Sequence, residues 1–378
     1  MKMDPNYKKS LIPLSLGDPT VFGNLPPSDA TLNALHQIID EGHSNGYFKA
    51  TGCEYVREVL ADYYSNANYK FNKEDVILSN GCSGALDLAI GALCEENTNL
   101  LIPRPGFQLS KTLCEVFNVN VKSYNLKPCG DWNVDLDSLE ELIDENTSAI
   151  LFNNPSNPCG SVWTKSHIQE LLAVAERHRI PLIIDEIYAE MVFEDIEFHS
   201  FSSLSQNVPM LICGGVAKRF LVPGWRVGWV LVFDRNNAFP KIRDGLNNLT
   251  QRLLGPNSIC QAAIPKMLSE TKLDFFSGAL KHLERNGKIA FDMLSEIDGI
   301  HPIMPKGAMY MMVGFDPERF PHFESDIQFT EQLISEESVV CLPGSCFDYP
   351  FFFRIVLCLP NDQMEEACGR IQEFCKRH

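Results

Sequence analysis

A chain of 378 residues with 45% hydrophobic content can build two sizeable cores and is neither disordered nor fibrous. Its 49 acidic against 32 basic residues give a formal charge of −17, which repels polyanions and leaves no broad footprint for nucleic acid or an anionic membrane. Thirteen cysteines without C-x-x-C or metal-ligand spacing, no long apolar run and a start without a signal-type segment predict free thiols in a soluble cytoplasmic protein that holds no metal, with small molecules or protein as partners.

Residues 11–27, rich in Pro and Gly, read as an extended lead-in. Ser28 is placed to cap a helix with Leu32, Leu35 and Ile39 on one face. The glycine-bounded loop 45–52 follows, and Tyr47 within it reads by itself as an ordinary packed aromatic. Short apolar runs then recur at 76–78, 100–102, 149–152, 181–184, 210–212 and 227–233. Between them lie helical patterns. Leu86, Ala89, Ile90 and Leu93 share a face, and Ser166 with Gln169 predicts a capping box before Ile168, Leu171, Leu172 and Ala175. Continuous apolar runs separated by amphipathic helices are what a parallel sheet covered on both faces requires, so the centre is predicted as doubly wound α/β. From about residue 265 on come long helical patterns, a strand region at Gly307-Ala308-Met309-Tyr310 and a final amphipathic helix with Ile371 and Phe374. No repeat or low-complexity stretch interrupts the chain.

Ligands of such sheets sit beyond the carboxyl ends of the strands, so the residues after each run are the candidates. Ser79-Asn80-Gly81-Cys82-Ser83-Gly84 opens a helix whose free N–H groups can bind a phosphate, although small residues there also make a plain turn. Asn153-Asn154-Pro155-Ser156-Asn157-Pro158 follows another run, and its asparagines are also common turn formers. Asp185-Glu186-Ile187-Tyr188 puts a carboxylate at a strand end and a phenol three residues later, where an acid can equally be a helix cap. The turn Cys213-Gly214-Gly215-Val216-Ala217-Lys218 presents one lysine, with Arg226 following a Pro223-Gly224 turn; alone, the pair reads as two surface cations.

Together the four places meet the needs of one cofactor, pyridoxal 5'-phosphate. Its aldehyde condenses with a lysine, here Lys218, and its pyridine nitrogen stays protonated beside a carboxylate, here Asp185. Asn157 and Tyr188 can hydrogen-bond the ring oxygen, and Arg226 with the glycine-rich turn can hold the phosphate. Once released, the Lys218 amine can move a substrate Cα proton as general base and acid.

On these residues, and on Ser15-Leu16-Gly17-Asp18-Pro19, Pro103-Arg104-Pro105-Gly106-Phe107, Gly307-Ala308-Met309-Tyr310 and Phe353-Arg354-Ile355-Val356, the chain resembles the fold-type I aminotransferases nearly end to end. The resemblance implies a large domain, residues 25–280, with a mainly parallel doubly wound sheet that binds the cofactor. It also implies a smaller α/β domain, residues 281–378 with 1–24, joined by a strand around residues 14–17. By resemblance, Gly81, Cys82, Ser83 and Arg226 hold the phosphate, Phe107 stacks on the ring, and Arg354 receives the substrate α-carboxylate beside Gly17 and Asn157. A planar guanidinium suits that task; taken alone, Arg354 could equally pair with a structural acid. Tyr47 is expected to reach the phosphate of a neighbouring subunit in a homodimer. The implied reaction moves the amino group of an aromatic L-amino acid, tyrosine foremost, to a 2-oxo acid such as 2-oxoglutarate.

Departures are visible too. The sequence begins a few residues before Ser15, so the arm with which relatives embrace the partner subunit is expected to be lacking. Ser110 stands where relatives commonly have Tyr, Gly84 where a larger polar residue is common, and Gly215 where many have a phosphate-binding Ser or Thr. A broad alanine/aromatic aminotransferase or a pyridoxal-phosphate-dependent carbon–sulfur lyase would share nearly every cofactor residue. A nucleotide-binding dehydrogenase would need G-x-G-x-x-G, which is absent. A catalytically dead dimeric binding protein could have lost Lys218, Asp185 or Arg354, and all three are present.

Overall fold

The strand Leu182–Asp185 sets the pattern of the fold. Successive side chains alternate between faces, so Leu182 and Ile184 enter one hydrophobic core and Ile183 the other, all fully buried. In the computed structural model, which describes residues 8–378, this strand is central to an eight-stranded sheet. The order is Val76–Asn80, Val227–Phe233, Met210–Gly215, Leu182–Asp185, Thr147–Asn153, Asn99–Arg104, Asn120–Lys127 and Asn133–Val134.

The central pairings are parallel, as the apolar runs predict. Val227–Phe233 departs by running antiparallel to both its neighbours. The connection from Met210–Gly215, residues 216–226, is too short for a parallel crossover, which needs a dozen residues or more. The reversal leaves Val76–Asn80 pointing the same way as the parallel strands, so Asn80, Asn153, Asp185 and Gly215 end on one edge. Asn120–Lys127 is a strand that the apolar runs do not reveal, because only alternate residues, Tyr124 and Leu126, are buried.

The helix Gly81–Leu93 packs on Val227–Phe233 and Met210–Gly215, burying Leu86, Ala89 and Ile90. Gly228 permits this, since a Cβ there would drive into the backbone of Gly81 and Cys82. Gly215 is similarly confined by the Val227 carbonyl, 2.9 Å from a built Cβ, so a Ser or Thr would have to displace backbone. Ser28 caps Asp29–Glu41 as expected, accepting from the Thr31 N–H at 3.0 Å. The inner face, however, carries Thr31 and Ala34, while Leu32 and Ile39 are exposed, because the helix lies against Ile264–Glu270 about one residue round from the predicted stripe. Lys165–His178 is capped by Thr164, which accepts from His167, and not by Ser166, which falls inside the first turn. Its predicted inner face, Ile168, Leu171, Leu172 and Ala175, is buried.

A second, antiparallel sheet orders Ile300–Pro302, Tyr310–Phe315, Phe352–Val356 and Leu342–Pro343. The N-terminal strand is Ile12–Pro13, parallel to Val339–Val340, and Leu14 accepts from the Val356 N–H. The helix Leu273–Ser295 runs unbroken through residue 280 and packs on Asn361–Arg377, which buries Ile371 and Phe374. All thirteen thiols are free. Among the described residues no helix is long and apolar enough to cross a membrane.

Candidate active site

The common edge of the large sheet and one face of the small sheet enclose a cavity of about 470 Å³. Asp185 stands in its floor, where Ile187 N–H (3.1 Å) and the Cys82 thiol (3.4 Å) both donate to Oδ1. No described side chain takes Oδ2. Burial pushes this carboxyl up to about 6, against the pull of its hydrogen bonds and the Lys218 charge. Lys218 Nζ donates to the Gly17 carbonyl at 2.5 Å and lies 6.0 Å from the centre of the Tyr188 ring. Tyr188 is buried, and its hydroxyl meets that of Tyr310 at 2.8 Å. Burial holds the Tyr188 phenol well above its ordinary pKa.

Arg354 comes from the small sheet. Nη1 donates to Asn157 Oδ1 at 2.8 Å and Nη2 to the Ser15 carbonyl at 2.6 Å, while Nε is buried without a partner. The guanidinium carbon sits 4.3 Å from the Tyr310 ring centre and 5.0 Å from that of Phe347. Among the described residues no carboxylate pairs with it, although it is only 4% exposed. A buried, uncompensated guanidinium is costly, and an anion entering the cavity relieves that cost. No described acid takes the structural role that the sequence alone would allow. With Oδ1 of Asn157 occupied by Arg354, its Nδ2 is left to donate into the cavity.

At the other end of the cavity Asn80 leaves the start of Gly81–Leu93 without a side-chain cap, so the first N–H groups of that helix are open to an anion. Gly81 has φ +70°, and a Cβ on it would press on the Arg226 guanidinium, 2.7 Å from Nη2. Arg226 is held by the carbonyls of Pro223 (3.1 Å) and Asn80 (3.4 Å) with its face exposed. Cys82, Ser83 and Phe107 line the same cavity.

Ten of the residues expected from the sequence thus line one space: Gly17, Cys82, Ser83, Phe107, Asn157, Asp185, Tyr188, Lys218, Arg226 and Arg354. Gly81 lies just behind, against Arg226. Tyr47 does not line it; it is 90% exposed on its loop. Tyr310, Phe347, Cys346 and Gln108 line the cavity without having been assigned a role. Only Tyr310 carried a signal, its place in a quoted motif.

Residues 9–371 match the profile described as "Aminotransferase class I and II". The chain belongs to that family. Tyrosine aminotransferase of Mus musculus is 50% identical, the match covering 100% of this chain and 84% of that protein. Tyrosine aminotransferase of Dictyostelium discoideum is 44% identical over 99% and 91%. Among solved structures, tyrosine aminotransferase from Leishmania infantum superposes with a TM-score of 0.97 at 36% identity, covering 100% of this chain and 94% of that one. The chain is an aminotransferase of the fold-type I class, with an α/β architecture and amino and 2-oxo acids as its substrates.

Aminotransferases of this family use pyridoxal 5'-phosphate, and the cavity fits it. An uncapped helix start with a cation beside it suits a phosphate, a carboxylate with one oxygen unbonded suits a protonated ring nitrogen, and a lysine lines the same cavity.

Proposed function

We propose that the chain transfers the amino group of an aromatic L-amino acid, tyrosine first, to a 2-oxo acid such as 2-oxoglutarate. The observation that carries the reading is the buried Arg354, which has no carboxylate partner among the described residues and faces the same cavity as Lys218 and Asp185. The tyrosine preference is supported by relatives at up to 50% identity that bear that name.

When bound, pyridoxal 5'-phosphate supplies the aldehyde that captures an amine and a ring that takes up the electron pair left by the departing Cα proton. Gly81, Cys82 and Ser83 would offer backbone N–H groups, with the Arg226 charge, to the phosphate, and Phe107 would cover the ring. Asp185 Oδ2 would hold the proton on the ring nitrogen, with Oδ1 fixed by Ile187 and Cys82. Tyr188 Oη and Asn157 Nδ2 would donate to the ring oxygen. Arg354 would take the substrate α-carboxylate and set the Cα proton toward Lys218, whose amine would receive it as general base and release it as general acid. Gly17 would border the substrate with its backbone, the room a side chain would need being taken by the Tyr310 hydroxyl.

The proposed division, residues 25–280 against 281–378 with 1–24, places Asp185 and Lys218 on one unit and Arg354 and Gly17 on the other. A homodimer is supported by Tyr47, whose exposure leaves its phenol available to a partner's phosphate. A cytoplasmic location accords with thirteen free thiols.

The test is amino transfer by purified protein from tyrosine, phenylalanine and alanine to a panel of 2-oxo acids. Tyrosine should show the highest kcat/KM. Cleavage of a cysteine S-conjugate faster than transfer from tyrosine would overturn the reading in favour of a lyase.

A further inference from the structure

Tyr310 touches more of the site than any assignment made above. It is 2% exposed and lies on the strand that pairs with the Arg354 strand, in a register that opposes Met312 to Arg354 and Tyr310 to Val356. Tyr310 and Arg354 are therefore diagonal neighbours on one face of the small sheet, which brings the ring 4.3 Å from the guanidinium. Its hydroxyl is 2.8 Å from that of Tyr188, at the end of the large sheet. The same hydroxyl occupies the space above Gly17, where an added Cβ would collide with it, and the Gly17 carbonyl accepts from Lys218.

The two phenols share one hydrogen bond but carry two protons. Both hydroxyls line the cavity, and neither has another hydrogen-bond partner among the described residues. With the Tyr188 proton given to the ring oxygen, as proposed above, the shared bond takes its proton from Tyr310. We propose that Tyr310 is a positioning residue for amino transfer with two separable parts: its hydroxyl aims the Tyr188 proton at the ring oxygen, and its ring holds the Arg354 fork ready for a carboxylate. The inference rests on the roles proposed above for Tyr188 and Arg354.

The experiment compares Tyr310→Phe, Tyr310→Leu, Tyr188→Phe and the Tyr188→Phe/Tyr310→Phe double variant, each loaded with pyridoxal 5'-phosphate and checked by melting temperature. The first readout is the pH midpoint of the visible absorption band without substrate. A ring oxygen with weaker donors holds the neighbouring proton more tightly, so Tyr188→Phe should raise the midpoint. Tyr310→Phe should raise it less, by about half a pH unit, and should add nothing once Tyr188 is Phe. The second readout is kinetic. Tyr310→Phe keeps the ring and should lower kcat roughly threefold to tenfold with KM for tyrosine nearly unchanged. Tyr310→Leu removes the ring as well and should raise KM about tenfold further. A wild-type midpoint in Tyr310→Phe, with a shifted one in Tyr188→Phe, overturns the role of the hydroxyl. An equal KM in the Phe and Leu variants overturns the role of the ring. If Tyr188→Phe leaves the midpoint unmoved, the role of Tyr188 itself fails and this inference falls with it.

Discussion

Asp185 and Glu186 are consecutive, yet their carboxylates leave the strand end on opposite sides: Asp185 lines the site cavity, and Glu186 lines a separate one of about 300 Å³ behind it. Both are buried, at 6% and 5% exposure. Burial raises Asp185 to about 6 and Glu186 to about 7, the latter despite bonds from Ser200 and the Phe201 N–H. A protonated ring nitrogen in the site cavity would compensate only the first.

Asp185→Asn should therefore act in opposite directions with and without cofactor. The folded carboxyl binds its proton more tightly than the unfolded one, so its contribution to stability is full below about pH 4 and is lost as pH rises through about 6. In cofactor-free protein the neutral amide should stabilise by about 2–3 kcal/mol at pH 8 and by almost nothing near pH 4. Loaded protein should instead lose much of the melting-temperature gain that cofactor gives, and nearly all activity. Thermal melts at the two pH values, with and without cofactor, check both signs.

Glu186→Gln separates fold from chemistry. Its folded pKa is also raised, from 4.5 to about 7, so wild-type stability should decline as pH climbs across that window. The amide still accepts from Ser200 and Phe201 but carries no charge, so the variant, compared with the wild type with cofactor bound to both, should lose less of its denaturation midpoint from pH 5 to 8 and retain most of its activity. A decline as steep as that of the wild type would show that another group causes it.

Arg354→Lys tests the fork. A lysine cannot keep the bonds to Asn157 and Ser15 and still meet a carboxylate with two parallel donors. KM for tyrosine should rise about a hundredfold, with kcat falling less and the cofactor absorption unchanged. Steady-state kinetics and a spectrum suffice, and a KM within threefold of wild type would remove Arg354 from the carboxylate role.

Tyr47, exposed in the single chain, is tested by mixing. Tyr47→Ala and Lys218→Ala proteins, each impaired, should regain activity on subunit exchange, because one site in each mixed dimer would have both residues. Exchange without any gain would place Tyr47 outside the neighbour's site.

Much of this was legible in the sequence because buried parallel strands read as unbroken apolar runs and the cofactor needs a different residue type at each strand end. Lys218, Asp185 and Arg226 were visible for that reason. What stayed hidden depends on contacts remote in sequence. The antiparallel course of Val227–Phe233 follows from the length of the connection before it, and Asn120–Lys127 shows only alternate burial. The pairing of Tyr310 with Tyr188 spans 122 positions and two sheets, which no local pattern encodes. That no described acid stands beside Arg354 is likewise a property of its surroundings, since the strand Phe352–Val356 reads the same with or without an acid opposite.

The most direct test of the whole account is to reduce the cofactor-loaded protein with borohydride, digest it and locate the pyridoxyl label by mass spectrometry. The label is predicted on Lys218, with loss of activity in proportion to its incorporation, and Lys218→Ala should bind cofactor yet take up no label there. A label fixed on any other lysine, with Lys218 unmodified, would contradict the assignment of the site.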